Sequence, residues 1–139
     1  HVIDLDEEKY LDLYGNSNEF DSAISNLVFN AVRYTPAGGS IHIRWRNSQD
    51  GPCFSVADNG IGIAPEHIPR LTERFYRVDV GRSRSSGGTG LGLAIVKHVM
   101  LRHGGQLKIE SKPGEGSTFT CCFPSARARD TRDRVCKSR

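Results

Sequence analysis

The chain has 139 residues, enough for one domain with a sizeable core and too few for a comfortable second. It is 37% hydrophobic and 25% charged, an ordinary globular balance, and much of its net charge of +3 lies in residues 127–139. So mild a charge, with no clustered basic face, speaks against nucleic-acid binding as the main role, and no apolar run approaches the length that spans a bilayer.

Residues 10–14 alternate and predict a short strand; residues 15–18 break the pattern, and a helix is expected from about 17 to 34, capped by Ser17 or Asn18. Phe20, Ile24, Leu27, Val28, Ala31 and Val32 recur at helical spacing and should face the core. On the other side lie Asn26, Asn30, Arg33 and Tyr34, three or four residues apart. Asparagine is locally unfavourable inside a helix, and two of them one turn apart can aim amide oxygens at one point. A hard cation such as Mg²⁺ takes oxygen ligands and keeps several waters, so it needs few from protein. Arg33 could hold a phosphate oxygen and Tyr34 offers a flat face for a base. Alone, the stripe fits a solvated helix face better than a ligand site.

Residues 35–39 stop the helix. Ile41, Ile43 and Trp45 alternate with His42, Arg44 and Arg46, and residues 53–57 form a second strand, giving a hairpin across a turn at 47–52. Asp58-Asn59-Gly60-Ile61-Gly62 follows directly. Its glycines let backbone approach a ligand closely, and an ionised aspartate, which only accepts hydrogen bonds, suits the amine of adenine. Residues 65–74 read as short helical turns broken at Pro69, and 77–90 as a polar loop rich in arginine, glycine and serine.

Gly87-Gly88-Thr89-Gly90-Leu91-Gly92 opens a second helix over 91–101. Free N–H groups at such a start attract phosphate, although no GK[ST] follows and no strand precedes, so neither a P-loop nor a dinucleotide motif fits. Gly104 and Gly105 end that helix. Residues 106–110 and 117–123 form a last hairpin around Pro113-Gly114-Glu115-Gly116, and the basic stretch 125–139 reads as a disordered tail. Helices separated by antiparallel pairs imply a two-layer α/β sandwich. The cysteines Cys53, Cys121, Cys122 and Cys136 include no CxxC pair, which argues against zinc, and are expected to be reduced.

Taken in order, an asparagine-bearing helix, DxGxG, an arginine-rich loop and GxGxG opening a helix resemble the N, G1, F and G2 boxes of histidine-kinase catalytic domains. These belong to the wider group that includes gyrase, Hsp90 and MutL. The run from Asn26 to Pro36 is similar to the N box, Asp58 to Gly62 to G1, Phe75-Tyr76-Arg77 to the F box and Gly88 to Gly92 to G2. The resemblance covers residues 10 to 124, and residues 64–99 are most similar to phosphate-regulon sensor kinases.

That resemblance implies a Bergerat (GHKL) fold, a mixed sheet of about five strands on about three helices, within a catalytic domain over 1–124. It implies that Asn30 ligates Mg²⁺, that Asn26 supports metal and phosphates, that Arg33 contacts phosphate and that Tyr34 lies along adenine. Asp58 would accept from the adenine amine in a pocket shaped by Gly60, Gly62 and Ile63. Gly88, Thr89, Gly90, Leu91 and Gly92 would wrap the phosphates, under an ATP lid over about 63–88 from which Arg77 and Arg82 reach the γ-phosphate.

The related ATPases carry a water-activating glutamate one turn before the metal asparagine; this chain has Asn26 there, which is no base. The implied activity is therefore kinase rather than ATPase. None of His1, His42, His67, His98 and His103 sits in a phosphoacceptor context, and His98 and His103 read as surface residues. The expected partners are a separate dimerisation and phosphoacceptor domain and a response-regulator receiver domain, with no nucleic acid and no direct membrane contact. The expected location is cytoplasmic, as part of a protein anchored in the bacterial inner membrane. A GHKL ATPase and a nucleotide-holding module without catalysis are the alternatives.

Overall fold

The alternation at Ile41, Ile43 and Trp45 does build a strand, and register explains what it packs against. A computed structural model describes residues 2–7, 11–13, 16–49, 51–76 and 91–130. The strands are β1 (Val2–Glu7), β2 (Leu11–Leu13), β3 (Ser40–Ser48), β4 (Gly51–Asp58), β5 (Gln106–Lys112), β6 (Gly116–Cys122) and β7 (Ala128–Asp130). The helices are α1 (Ser17–Tyr34) and α2 (Gly92–Arg102), with 3-10 turns at Ile68–Arg70 and Ser125–Arg127.

Five strands form one mixed sheet in the order β1-β3-β4-β6-β5. Only β1 and β3 run parallel; both expected hairpins, β3–β4 and β5–β6, are present and antiparallel. Strand β1 lies outside the elements expected from the sequence. Residues 65–74, expected as short helical turns, hold the 3-10 turn Ile68–Arg70 with Pro69 in its first positions, where a missing N–H is tolerated, so the described residues carry two α-helices rather than about three. The stretch read as a disordered tail begins with structure: after the 3-10 turn, β7 pairs antiparallel with β2 in a separate two-stranded ribbon.

One sheet face receives the helices. Phe20, Ala23, Leu27 and Ala31 of α1 and Val96, Val99 and Met100 of α2 bury against Ile41, Phe54, Val56, Phe119, Cys121 and Phe123. Leu27 is fully buried, so Leu27→Ala costs about 2–5 kcal/mol. Val28 and Val32 pack at the margin of this core, but Ile24, expected inside, is partly exposed. The helix layer does not reach the sheet edge, where Ile3 and Leu5 stay 55% and 61% exposed.

Helix α1 is capped by Asn16, not by Ser17 or Asn18: its side-chain oxygen accepts from the Glu19 N–H at 3.1 Å. His103 is buried rather than on the surface. Its Nδ1 donates to the Val99 carbonyl at 2.9 Å, Nε2 accepts from the Asn16 N–H at 3.4 Å, and its ring lies 4.5 Å from Phe20. It ties the end of α2 to the start of α1, beside an Arg102–Glu19 ion pair of 2.9 Å.

The reduced state expected for the cysteines is corrected for one pair. Cys53 and Cys122 are direct cross-strand partners on β4 and β6 and are disulfide-bonded, with Cα atoms 4.1 Å apart. Their neighbour Cys121 faces the core as a free thiol, and burial pushes its pKa up to about 12. Cys136 lies outside the described residues.

A candidate nucleotide site between one helix and two glycine loops

The polar stripe of α1 runs between two backbone turns and touches both. At its C-terminal end, the Tyr34 carbonyl accepts the Ile61 N–H at 3.2 Å. Gly60 lies so close to that same carbonyl that any Cβ would overlap it, which is why glycine is required. Two turns earlier, a Cβ placed on Gly92 at the start of α2 would stand 2.9 Å from Oδ1 of Asn26. Asn26 and Tyr34 are eight residues apart, about 12 Å along the helix. Gly60 and Gly92 therefore both lie against this helix, at opposite ends of its polar stripe.

Between them stand the remaining polar groups of the stripe. Asn26 donates its amide N–H to the Ser22 carbonyl at 2.8 Å, which leaves its oxygen turned toward α2. Asn30 is only 7% exposed, yet its side chain makes no hydrogen bond with another described residue. Arg33 donates from Nη2 to the Tyr34 hydroxyl at 3.1 Å and packs over that ring, while its Nε is buried without a partner. Buried polar groups without partners are uncommon, and such an N–H is free to donate to an anionic oxygen.

Asp58 ends β4, half-buried, where Oδ1 accepts the Gly60 N–H at 2.9 Å. Desolvation raises its pKa above the ordinary value, against the opposing pull of the Gly60 and Ser117 backbone N–H groups. Gly62 takes a left-handed φ of 73° and abuts the Lys112 carbonyl. Ile63 follows and is buried in the core. Asn59 accepts the Ser40 N–H at 2.8 Å and closes the loop against β3.

The described part of the expected lid leaves this loop through the 3-10 turn. His67 Nδ1 and the Tyr76 hydroxyl are hydrogen-bonded, and the Arg70 guanidinium sits 4.5 Å over the Tyr76 ring while pairing with Glu73 at 3.1 Å. Phe75 has a φ of 68°, a strained conformation for a bulky residue, and projects to solvent. Arg77, Arg82, Gly88, Thr89 and Gly90 lie outside the described residues; Leu91 and Gly92 lie inside them.

Among the described residues, no three His, Cys, Asp or Glu side chains cluster as a metal site. A lone amide oxygen such as that of Asn30, completed by phosphate oxygens and water, is nonetheless the kind of donor set Mg²⁺ accepts. Sequence reasoning missed the β5–β6 hairpin as part of this site. Ser111, Gly114 and Ser117 hold the Asp58–Ile63 loop from behind, and their only signal was a serine on each side of a GxG turn.

A family model described as histidine kinase-, DNA gyrase B-, and HSP90-like ATPase matches residues 15–127. The chain belongs to that family. Among its relatives in this ATPase family, the phosphate regulon sensor protein PhoR of Pseudomonas aeruginosa is 57% identical over 130 residues, covering 94% of this chain and 29% of the relative. The sensor-like histidine kinase SenX3 of Mycobacterium tuberculosis is 47% identical over 123 residues, covering 88% and 30%. The chain thus spans less than a third of the length of these curated relatives.

Among solved structures, a mycobacterial sensor histidine kinase, MprB, superposes with a TM-score of 0.77 at 28% identity, covering 93% of this chain and 83% of that one. Full-length ShkA in complex with AMPPNP superposes at 0.72 with 27% identity, covering 92% and 26%. Within the histidine kinase-, gyrase- and HSP90-like ATPases, the chain has the α/β fold of a histidine-kinase catalytic domain. No helix among its described residues is long and apolar enough to cross a membrane.

Proposed function

We propose that this chain is the ATP-binding catalytic domain of a two-component sensor histidine kinase in phosphate-regulon signalling. It holds Mg-ATP and donates the γ-phosphoryl group to a histidine on a separate dimerisation domain, for relay to an aspartate of a response regulator. One observation supports the reading: along one helix the Tyr34 carbonyl meets the Asp58–Gly62 loop and Asn26 meets Gly92, with buried Asn30 and the unpartnered Nε of Arg33 between them.

In this reading Asp58 accepts from the adenine amine, within backbone shaped by Gly60, Gly62 and Ile63, and Tyr34 lies along the base. Asn26, Arg33 and the turn from Gly88 to Gly92 surround the phosphates. Asn30 ligates Mg²⁺, which when bound offsets charge on the phosphate oxygens. Arg77 and Arg82 approach the γ-phosphate from the lid.

Phosphoryl transfer depends on positioning and charge stabilisation more than on covalent help from the protein. The side chain one turn before Asn30 is the amide of Asn26, which has no basic lone pair to take a proton from water. ATP is therefore preserved until an imidazole arrives. The intact protein places this domain on the cytoplasmic side of the bacterial inner membrane.

The test is transfer of label from γ-labelled ATP to an added phosphoacceptor domain of a phosphate-regulon kinase, with ATP turnover by the chain alone as baseline. Labelled phosphohistidine with negligible background turnover is expected. Rapid turnover without acceptor labelling overturns the kinase reading in favour of an ATPase; ATP binding with neither reaction leaves only a binding module.

A further inference from the structure

Asp58 and its glycines do not hold their own shape; the β5–β6 hairpin moulds them. The Ile61 carbonyl accepts the Gly114 N–H at 2.8 Å, and the Ser117 N–H reaches the Asp58 carboxylate. The link with most consequence runs through one hydroxyl. Ser111 Oγ accepts the Ile63 N–H at 2.8 Å, donates to the Gly116 carbonyl at 3.0 Å and meets Ser117 Oγ at 2.7 Å. A serine hydroxyl has one proton to give and two lone pairs to receive with. Donation to Gly116, with acceptance from Ile63 and from Ser117, uses all three.

Ile63 is 4% exposed, so water cannot replace this acceptor. Ser111 and Ser117 are register partners on adjacent strands, which fixes the hydroxyl in place while the loop settles on it. The loop's opposite side hangs from the Tyr34 carbonyl, so Ser111 determines how far Asp58, Gly60 and Gly62 stand from the helix that lines the site.

We propose that Ser111 is a positioning residue for adenine recognition, acting through the Ile63 amide on the Asp58–Gly62 loop without touching the nucleotide. The proposal rests on the nucleotide-site reading above. It acts on the base end of the site only, because among the described residues the hairpin makes no hydrogen bond to Asn26 or Gly92.

The experiment measures the affinity of the 139-residue chain for ATP, ADP and inorganic tripolyphosphate, each with Mg²⁺, for the unaltered chain, Ser111→Ala and Ser111→Thr. Ser111→Ala should weaken ATP and ADP by the same factor of about ten, the effect of stranding one buried donor. It should leave tripolyphosphate unchanged, and Ser111→Thr, which keeps the hydroxyl, should restore both nucleotides. Unchanged nucleotide affinity in Ser111→Ala overturns the proposal. So does an equal loss for tripolyphosphate, or a threonine variant as weak as the alanine one. If Ser111→Ala does not fold, Ser117→Ala serves: it removes one donor to Ser111 and spares the Ile63 bond, so a nucleotide-only loss of about two- to three-fold is expected, and no loss overturns the proposal. An unaltered chain that binds no ATP removes the underlying site reading, a result distinct from one in which only the serine variants behave like the unaltered chain.

Discussion

The Asn26 carboxamide is pinned against Gly92: its nitrogen bonds the Ser22 carbonyl at 2.8 Å, and its oxygen would lie 2.9 Å from any methyl group added to that glycine. Gly92→Ala must therefore displace Asn26. Alanine favours helix over glycine by about 1 kcal/mol, so the fold should tolerate the change. ATP affinity should fall about ten-fold, the loss of one charge-assisted contact. Calorimetry beside a thermal melt checks it; unchanged affinity removes Asn26 from the phosphate end of the site.

Asn30 is buried and makes no hydrogen bond within the described fold, so its amide contributes little to stability. Asn30→Ala should leave the melting temperature unchanged or slightly raised while abolishing the Mg²⁺-dependent part of ATP binding. Titrations with and without a chelator separate the two. A variant that still gains affinity from Mg²⁺ refutes the ligand role.

For Asp58, burial raises the folded-state pKa above the ordinary 3.8. The folded state thus favours the protonated form, and that contribution is full below the unfolded value and lost as pH rises through the folded one. Near neutral pH the ionised carboxylate is a stability cost, which the adenine amine of the proposed nucleotide would offset by donating to it. Asp58→Asn should melt no lower than the parent near neutral pH, and the difference should vanish in acid. ATP should bind at least about ten-fold more weakly, with GTP little affected. In the parent, ATP affinity should fall as pH drops through the raised Asp58 value. Equal losses for ATP and GTP argue against the adenine role.

The Cys53–Cys122 bridge closes a long loop, with a sequence separation of 69, and such crosslinks contribute about 2–4 kcal/mol. Dithiothreitol should lower the melting temperature by roughly 5–15 °C, and Cys53→Ser should reproduce the shift without reductant. Cys121, buried with a raised pKa, should resist alkylation until the fold opens. A melt insensitive to reductant counts against the bridge.

Period and spacing made much of this legible. The α1 face, both hairpins and the two glycine segments follow from patterns of 3.6 and 2 and from glycine placement, and their order pointed to the family. What stayed hidden depends on which strands become neighbours. The disulfide needs β4 beside β6 in one particular register, and residues 53 and 122 carry no local mark of it. His103 looks like any polar residue past a helix end until Phe20 and Asn16 close over it. Ser111 reads as a strand serine because the Ile63 amide it serves arrives from 48 residues away.

Strand β1 has one further consequence. Among the described residues it borders β3 on one side only, and such a backbone edge would ordinarily invite a second chain to add a strand. Asp4 and Asp6 stand along it, with Asp4 held by His42 and Asp6 by Arg46. Two copies meeting there would bring acid against acid, so this margin of the molecule resists fibril-like stacking even with Ile3 and Leu5 bare beside it.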